Sequence, residues 1–211
     1  PELILRLEVG NRKHVFRQVA NHQLDVAIGG RPPPGGELVG KAFMENPIML
    51  ITAPDDPLAH RRAVPVAELG ERPWLLRERG SGTRMMTDEF LAHHELNPEM
   101  LTLGSNGAIK QAARAGLGVS FQSRATTALE LAHGILGTVS VREPLPRRQW
   151  FALWPAKGPM LEHVEDFLDF VLSKAAKEHI ERFWRVGEVG GQQRAGADGA
   201  SKPKPRRARA Q

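Results

Sequence analysis

Four short segments carry the residue types best suited to holding an anion: Gly10-Asn11-Arg12, Gly80-Ser81-Gly82-Thr83-Arg84, Gly104-Ser105-Asn106 and Gln122-Ser123-Arg124. Each joins the end of an expected strand to the start of an expected helix. A helix start presents unpaired N–H groups and partial positive charge. Several such starts around one gap can bind a carboxylate or phosphate. Arg12, Arg31, Arg84 and Arg124 lie beside these turns and add charge. The expected contact set is Asn11, Arg12, Arg31, Ser81, Gly82, Thr83, Arg84, Ser105, Asn106, Gln122, Ser123 and Arg148. Ser, Asn and Gly are also ordinary helix caps, and for any one turn alone capping is the simpler account.

Catalytic patterns are missing. Gly80-Ser81-Gly82-Thr83 lacks the Lys-Ser/Thr ending of an NTPase phosphate loop, and no strand is followed by Gly-x-Gly-x-x-Gly. Ser81 has no Gly-x-Ser-x-Gly context. None of the eight histidines, including the adjacent His93 and His94, stands in a zinc-hydrolase spacing. Glu162, Glu165, Asp166 and Asp169 read as the solvated side of a helix. With no Cys and no Tyr, thiolate chemistry, disulfides and one common general acid are excluded. The chain is expected not to be an enzyme and to need no cofactor or metal.

The elements that must position these turns alternate between strand and helix. Leu3 to Val9 alternates as a strand, Asn11 caps a helix to about His22, and Leu24 to Ile28 is a second strand. This predicts a parallel βαβ unit. Arg31-Pro32-Pro33-Pro34-Gly35-Gly36 is a loop. Strands follow at Leu38–Phe43, Ile48–Ala53 and Trp74–Arg77. Helices are expected at Thr83–His94, Ala108–Ala115 and Ser123–Ala132, between strands at Leu101–Leu103, Val119–Phe121 and Leu136–Val141. Gln149–Trp154 is a strand and Met160–Ala176 a helix with Val164, Phe167, Leu168, Val171 and Leu172 on one face. Trp74, Trp150 and Trp154 read as core or lobe-junction residues.

The pattern predicts an α/β fold with two Rossmann-like lobes and a ligand cleft between them. Residues 1–72 with 149–185 make the first lobe and 73–148 the second, with crossings near Arg72 and Arg148. Residues 186–211 form a tail rich in Gly, Ala, Pro, Lys and Arg, expected to be disordered.

The 211 residues are 41% apolar, enough for a core without staples. Most of the net charge of +5 falls in the tail, on Arg194, Lys202, Lys204, Arg206, Arg207 and Arg209. A nucleic-acid face on the folded part is therefore not indicated. No apolar run approaches the roughly 18 residues that span a bilayer, and Pro1 to Gly10 does not read as a signal peptide. A cytoplasmic protein without membrane contact is expected, although a mature form with its leader removed would look the same.

These residues resemble a known family. Pro1-Glu2-Leu3-x-Leu5-x-Leu7-x-x-Gly10-Asn11, Leu24 to Gly29, Pro47 to Ala59, and Ala112-x-x-Ala115-Gly116-Leu117-Gly118-Val119 followed by Ser123 look like the effector-binding domain of LysR-type transcriptional regulators. Leu75-Leu76-Arg77-Glu78-x-Gly80-Ser81-Gly82-Thr83-Arg84, Leu103 to Lys110 and Arg147-Arg148-Gln149-Trp150 resemble its Calvin-cycle branch, CbbR. The resemblance covers about Pro1 to Ala175.

It implies a type 2 periplasmic-binding-protein-like fold and a small anionic effector in the cleft. A phosphorylated sugar metabolite or NADPH is the candidate effector, contacted by Ser81, Thr83 and the Ser105-Asn106 turn. It also implies a homodimer or homotetramer, operator DNA bound through an N-terminal winged helix-turn-helix not present in this sequence, and possible contact with RNA polymerase. The self-association surfaces would be the Arg12–His22 helix and the last helix. The first strand and helix of the first lobe are likewise expected to be missing. Gly107 stands where the branch often carries Glu. The alternative function is a solute-binding protein of a transport system, which would need an export signal upstream.

Overall fold

The computed structural model describes residues 4–185. Asn11 starts the first helix as its composition predicts: its side-chain oxygen accepts from the His14 N–H at 2.9 Å. The resulting α1 (Arg12–Ala20) buries Phe16 and Val19. Strands β1 (Ala27–Gly29) and β2 (Leu38–Glu45) flank β8 (Gln149–Pro155), both antiparallel to it. Phe16, Val19, Ala27, Leu38, Phe151 and Leu153 form one core of this lobe. On the other face Phe43 and Ala152 pack with Val164, Leu168 and Val171 of α5 (Glu162–Leu172).

The second lobe is built on β3 (Ile48–Thr52), which pairs antiparallel with β6 (Ser120–Ser123) and β7 (Gly137–Thr138). Beside it, β4 (Trp74–Leu76) runs parallel to β5 (Met100–Thr102) and bridges to Val119. Helices α2 (Gly82–His93), α3 (Asn106–Arg114) and α4 (Arg124–Ala132) complete it. Its larger core centres on Trp74, Phe90 and Phe121, with ring pairs edge-on at 5.2 and 4.9 Å, a favoured aromatic arrangement. Trp74 is fully buried, and its indole N–H donates to the Leu69 carbonyl at 3.0 Å.

Several expectations are corrected. The first lobe does not extend to residue 72. Ile48, Leu50, Leu58, Val64, Val66 and Leu69 share a core with Trp74 and Phe121, so the chain enters the second lobe at Asn46-Pro47. Alternation along Ile48–Ala53 specifies a strand but not the sheet it joins, and pairing with β6 and β7 decides that. The expected strand Leu3–Val9 is not formed among its described residues, 4–9. Ile4, Leu5, Leu7 and Val9 are exposed. A period-2 pattern needs a neighbouring strand to satisfy its backbone, and β1 pairs with β8 instead. The parallel βαβ unit expected at the start is therefore not formed among the described residues.

The last helix is two, α5 and α6 (Lys174–Arg185), separated at Ser173, which has extended backbone angles and accepts from the Ala176 N–H at 3.1 Å. A serine able to cap a new start interrupts an otherwise continuous apolar face. The tail from residue 186 lies outside the described residues.

Candidate anion-binding cleft

Two chain crossings join the lobes. Asn46 donates its backbone N–H to the Arg148 carbonyl at 2.9 Å, tying the outgoing strand to the returning one. The Asn46 side chain, almost wholly buried, accepts from the Ser123 hydroxyl. These contacts hold the base of a cleft whose sides are the starts of α1 and α2.

The α2 start is made by Gly80, Ser81 and Gly82. Gly80 has φ +92°, a region open mainly to glycine. Ser81, 6% exposed, caps the helix by accepting from the Thr83 N–H at 3.3 Å. The opposite lobe reaches this turn directly: the Lys13 N–H donates to the Gly80 carbonyl at 3.1 Å.

Arg148 lies between the two sides. Its Nη1 donates to the Thr83 hydroxyl at 3.3 Å. Its Nη2 sits 3.3 Å from where a Cβ would stand on Gly30 and the same distance from one on Gly82. Arg12 closes in from α1, with its Cδ 3.3 Å from that same Gly82 position. Arg12 also donates to the Arg31 carbonyl at 3.0 Å, and its guanidinium carbon is 4.6 Å from the Phe16 ring centre, a cation–π contact. Burial, and then the Arg12 charge, push the Arg148 guanidinium below its ordinary value; burial does the same for Arg12. Among the described residues neither Arg12 nor Arg148 forms an ion pair with a carboxylate. Two half-buried like charges therefore face each other without a counter-ion, an arrangement that an incoming anion stabilises.

The cavity they line measures about 820 Å³ and includes Gly30, Arg31, Gly82, Met85 and Phe151. A second of about 910 Å³ adjoins it through Arg12 and Met85, and Ser81 and Arg84 lie on its wall. Both volumes suit a small metabolite.

The structure thus brings Asn11, Arg12, Arg31, Ser81, Gly82, Thr83 and Arg148 together. Arg31 contributes its carbonyl. Arg84 is committed elsewhere: its Nε donates to both Asp88 oxygens at 2.8 and 2.9 Å, and its Nη1 to the Arg77 carbonyl.

The remaining turns do not line either cavity. Ser105 caps α3, and Asn106 accepts from Arg77 at 2.6 Å. Gln122 is buried with its side-chain N–H₂ unpartnered, and Ser123 holds Asn46 at the crossing. Of the four turns expected to share one gap, the first two lie together at the cleft and the last two lie apart from it. The other two sit at strand ends of the second lobe, where Ser105 and Asn106 are engaged by α3 and Arg77, and Ser123 by Asn46. Gly30 and Asn46 were missed; the Gly29-Gly30 pair was a signal for close approach, and Asn46 offered none.

Among the described residues no group of His, Cys, Asp or Glu could hold a metal ion, and no helix is long and apolar enough to cross a membrane.

Comparison with known proteins shows the family and the fold. The LysR substrate binding domain family model matches residues 1–176. The RuBisCO operon transcriptional regulator of Allochromatium vinosum is 37% identical over 176 residues, which are 83% of this chain and 58% of that protein. The HTH-type transcriptional regulator CbbR of Sinorhizobium medicae is 34% identical over 179 residues, 84% of this chain and 57% of that protein. The chain therefore spans little more than half the length of these curated relatives. They are transcriptional regulators, not enzymes, and they do not favour the transport alternative.

Among solved structures, the Synechocystis PCC6803 CcmR regulatory domain in complex with 2-PG superposes with a TM-score of 0.74 at 31% identity. The match covers 79% of this chain and 81% of that one. The mixed α/β, periplasmic-binding-protein-like fold is the one expected. The chain belongs to the LysR substrate binding domain family.

Proposed function

We propose that this chain is the effector-sensing part of a LysR-family transcriptional regulator of carbon-fixation genes, and that its cleft binds a small phosphorylated anion. The observation that carries this reading is the pair Arg12 and Arg148, half-buried between the lobes with no carboxylate partner among the described residues. A phosphorylated metabolite is favoured because the similar CcmR domain was solved with 2-PG. A sugar bisphosphate and NADPH are further candidates.

In this reading residues up to Asn46, together with those from Gln149 onward, move as one lobe and residues 47–148 as the other, with Asn46 and Arg148 as the hinge. The full protein works in the cytoplasm as a homodimer or homotetramer. It reaches operator DNA through an N-terminal winged helix-turn-helix and signals to RNA polymerase there.

Calorimetry of the full chain with 2-phosphoglycolate, 3-phosphoglycerate, ribulose 1,5-bisphosphate and NADPH tests the reading. At least one of them should give a saturable isotherm that Arg148→Gln weakens by about tenfold or more, the loss expected for a charge-assisted contact. No heat from any of the four would overturn it.

A further inference from the structure

The two arginines differ from an ordinary basic patch. Arg12 Cδ and Arg148 Nη2 each lie 3.3 Å from the same point, where a Cβ would stand on Gly82, and the Arg12 charge acts on the Arg148 guanidinium. Each is fixed from behind, Arg12 by the Arg31 carbonyl and the Phe16 ring, Arg148 by the Thr83 hydroxyl. Neither can swing out to water without giving up those contacts.

The other charged residues on this cavity do not neutralise them. Glu45 accepts from the Gln149 side chain at 3.0 Å, Glu89 makes no ion pair with either arginine, and Arg31 and Arg147 add to the positive side. One negative charge placed between them leaves one guanidinium uncompensated, and two negative charges on one group compensate both. At two half-buried guanidiniums that difference separates the two classes of anion.

Resting on the effector reading above, we propose that Arg12 and Arg148 act together as a charge-counting specificity pair, which makes the cleft select a dianionic head-group over a monoanionic one of the same shape. Gly30 and Gly82 belong to this device because they leave the room Arg148 occupies. A methyl at Gly82 would stand 3.3 Å from both Arg12 Cδ and Arg148 Nη2 and would push the pair apart.

The test compares 2-phosphoglycolate with carboxymethyl sulfate by calorimetry on the full chain at pH 8. The two share a carboxylate and a tetrahedral ester. Beyond that shared carboxylate, the phosphate head-group is a dianion at this pH, with its second pKa near about 6, whereas the sulfate head-group stays a monoanion. The wild-type chain should prefer the phosphate by about tenfold or more. Arg148→Gln should reduce that preference to less than about threefold by removing one of the two counted charges. Gly82→Ala, which suits a helical position and keeps both arginines, should also lower the preference, and circular dichroism should show an unchanged melting temperature.

Equal affinity for the two esters in the wild type would overturn the proposal and leave the effector reading intact. Binding of neither would overturn the proposal, and the effector reading would then rest on the other three metabolites. A full preference retained in Arg148→Gln, or, should that variant not fold, in Gly82→Ala, would also overturn it.

Discussion

At the residue scale the molecule separates charges that are spent from charges that are available. Arg77 donates to the Glu78 carboxylate at 2.8 and 3.0 Å, and Arg84 is paired with Asp88, whereas Arg12 and Arg148 have no such partner. The hydrogen bonds from Arg77 hold Glu78 below the ordinary glutamate range. Because its folded-state value is depressed, the stability it contributes is present above about pH 4.3 and is lost as pH falls through the folded value. Side-chain NMR titration should place Glu78 below about 4.3, and Arg77→Gln should return it toward that value. An unshifted Glu78 would contradict the pairing. In the cleft, Thr83→Val removes the hydroxyl that accepts from Arg148 and should weaken effector binding by about 1–3 kcal/mol. Unchanged affinity in calorimetry would remove Thr83 from the site. Ser81, Gly82 and Thr83 were named from sequence because a Gly-Ser-Gly turn between a strand and a helix leaves helix-start N–H groups accessible, although a cap alone needs the same residues. Arg12 and Arg148 were named, but their isolation from carboxylates was not readable, since it depends on which acidic residues the fold leaves at a distance.

At the element scale the helix starts were the readable part. Asn11, Ser81 and Ser105 all cap as their types predict, since capping is settled within three residues of chain. Replacing Ser81 by Ala should cost about 1 kcal/mol of stability, measured by urea denaturation; a neutral result would contradict its capping role. Strand partners were much less readable. Residues 4–9 alternate well and remain unpaired, while β3 joins a sheet with β6, about seventy residues further on, and only the second lobe's packing requires it. Pairing at that distance depends on the cores on either side, which local periodicity does not encode. The core of the second lobe carries the stability of the α2 platform. Phe121→Ala, at a fully buried position beside Trp74 and Phe90, should therefore cost about 3–5 kcal/mol. A loss below about 1 kcal/mol in the same denaturation experiment would mean this cluster is not a packed core.

At the scale of the whole molecule, two lobes meet at paired crossings whose midpoint, Arg148, also faces the cleft. One residue thus links the crossing to the cleft: its carbonyl holds the Asn46 crossing and its guanidinium touches the start of α2. The lobes already touch across the cleft, where the Lys13 N–H donates to the Gly80 carbonyl, and in the proposed reading an anion between Arg12 and Arg148 offsets their repulsion there. The two-lobed α/β plan was legible from alternation, but the entry crossing at Asn46-Pro47 was not, because a strand entering either lobe has the same pattern. The central claim is that an anion sits between Arg12 and Arg148. A crystal structure of the chain with 2-phosphoglycolate tests it most directly. The account predicts phosphate oxygens within hydrogen-bond distance of both guanidiniums, beside Gly82. A ligand bound elsewhere, with the two arginines still facing an empty gap at saturating concentration, would contradict it.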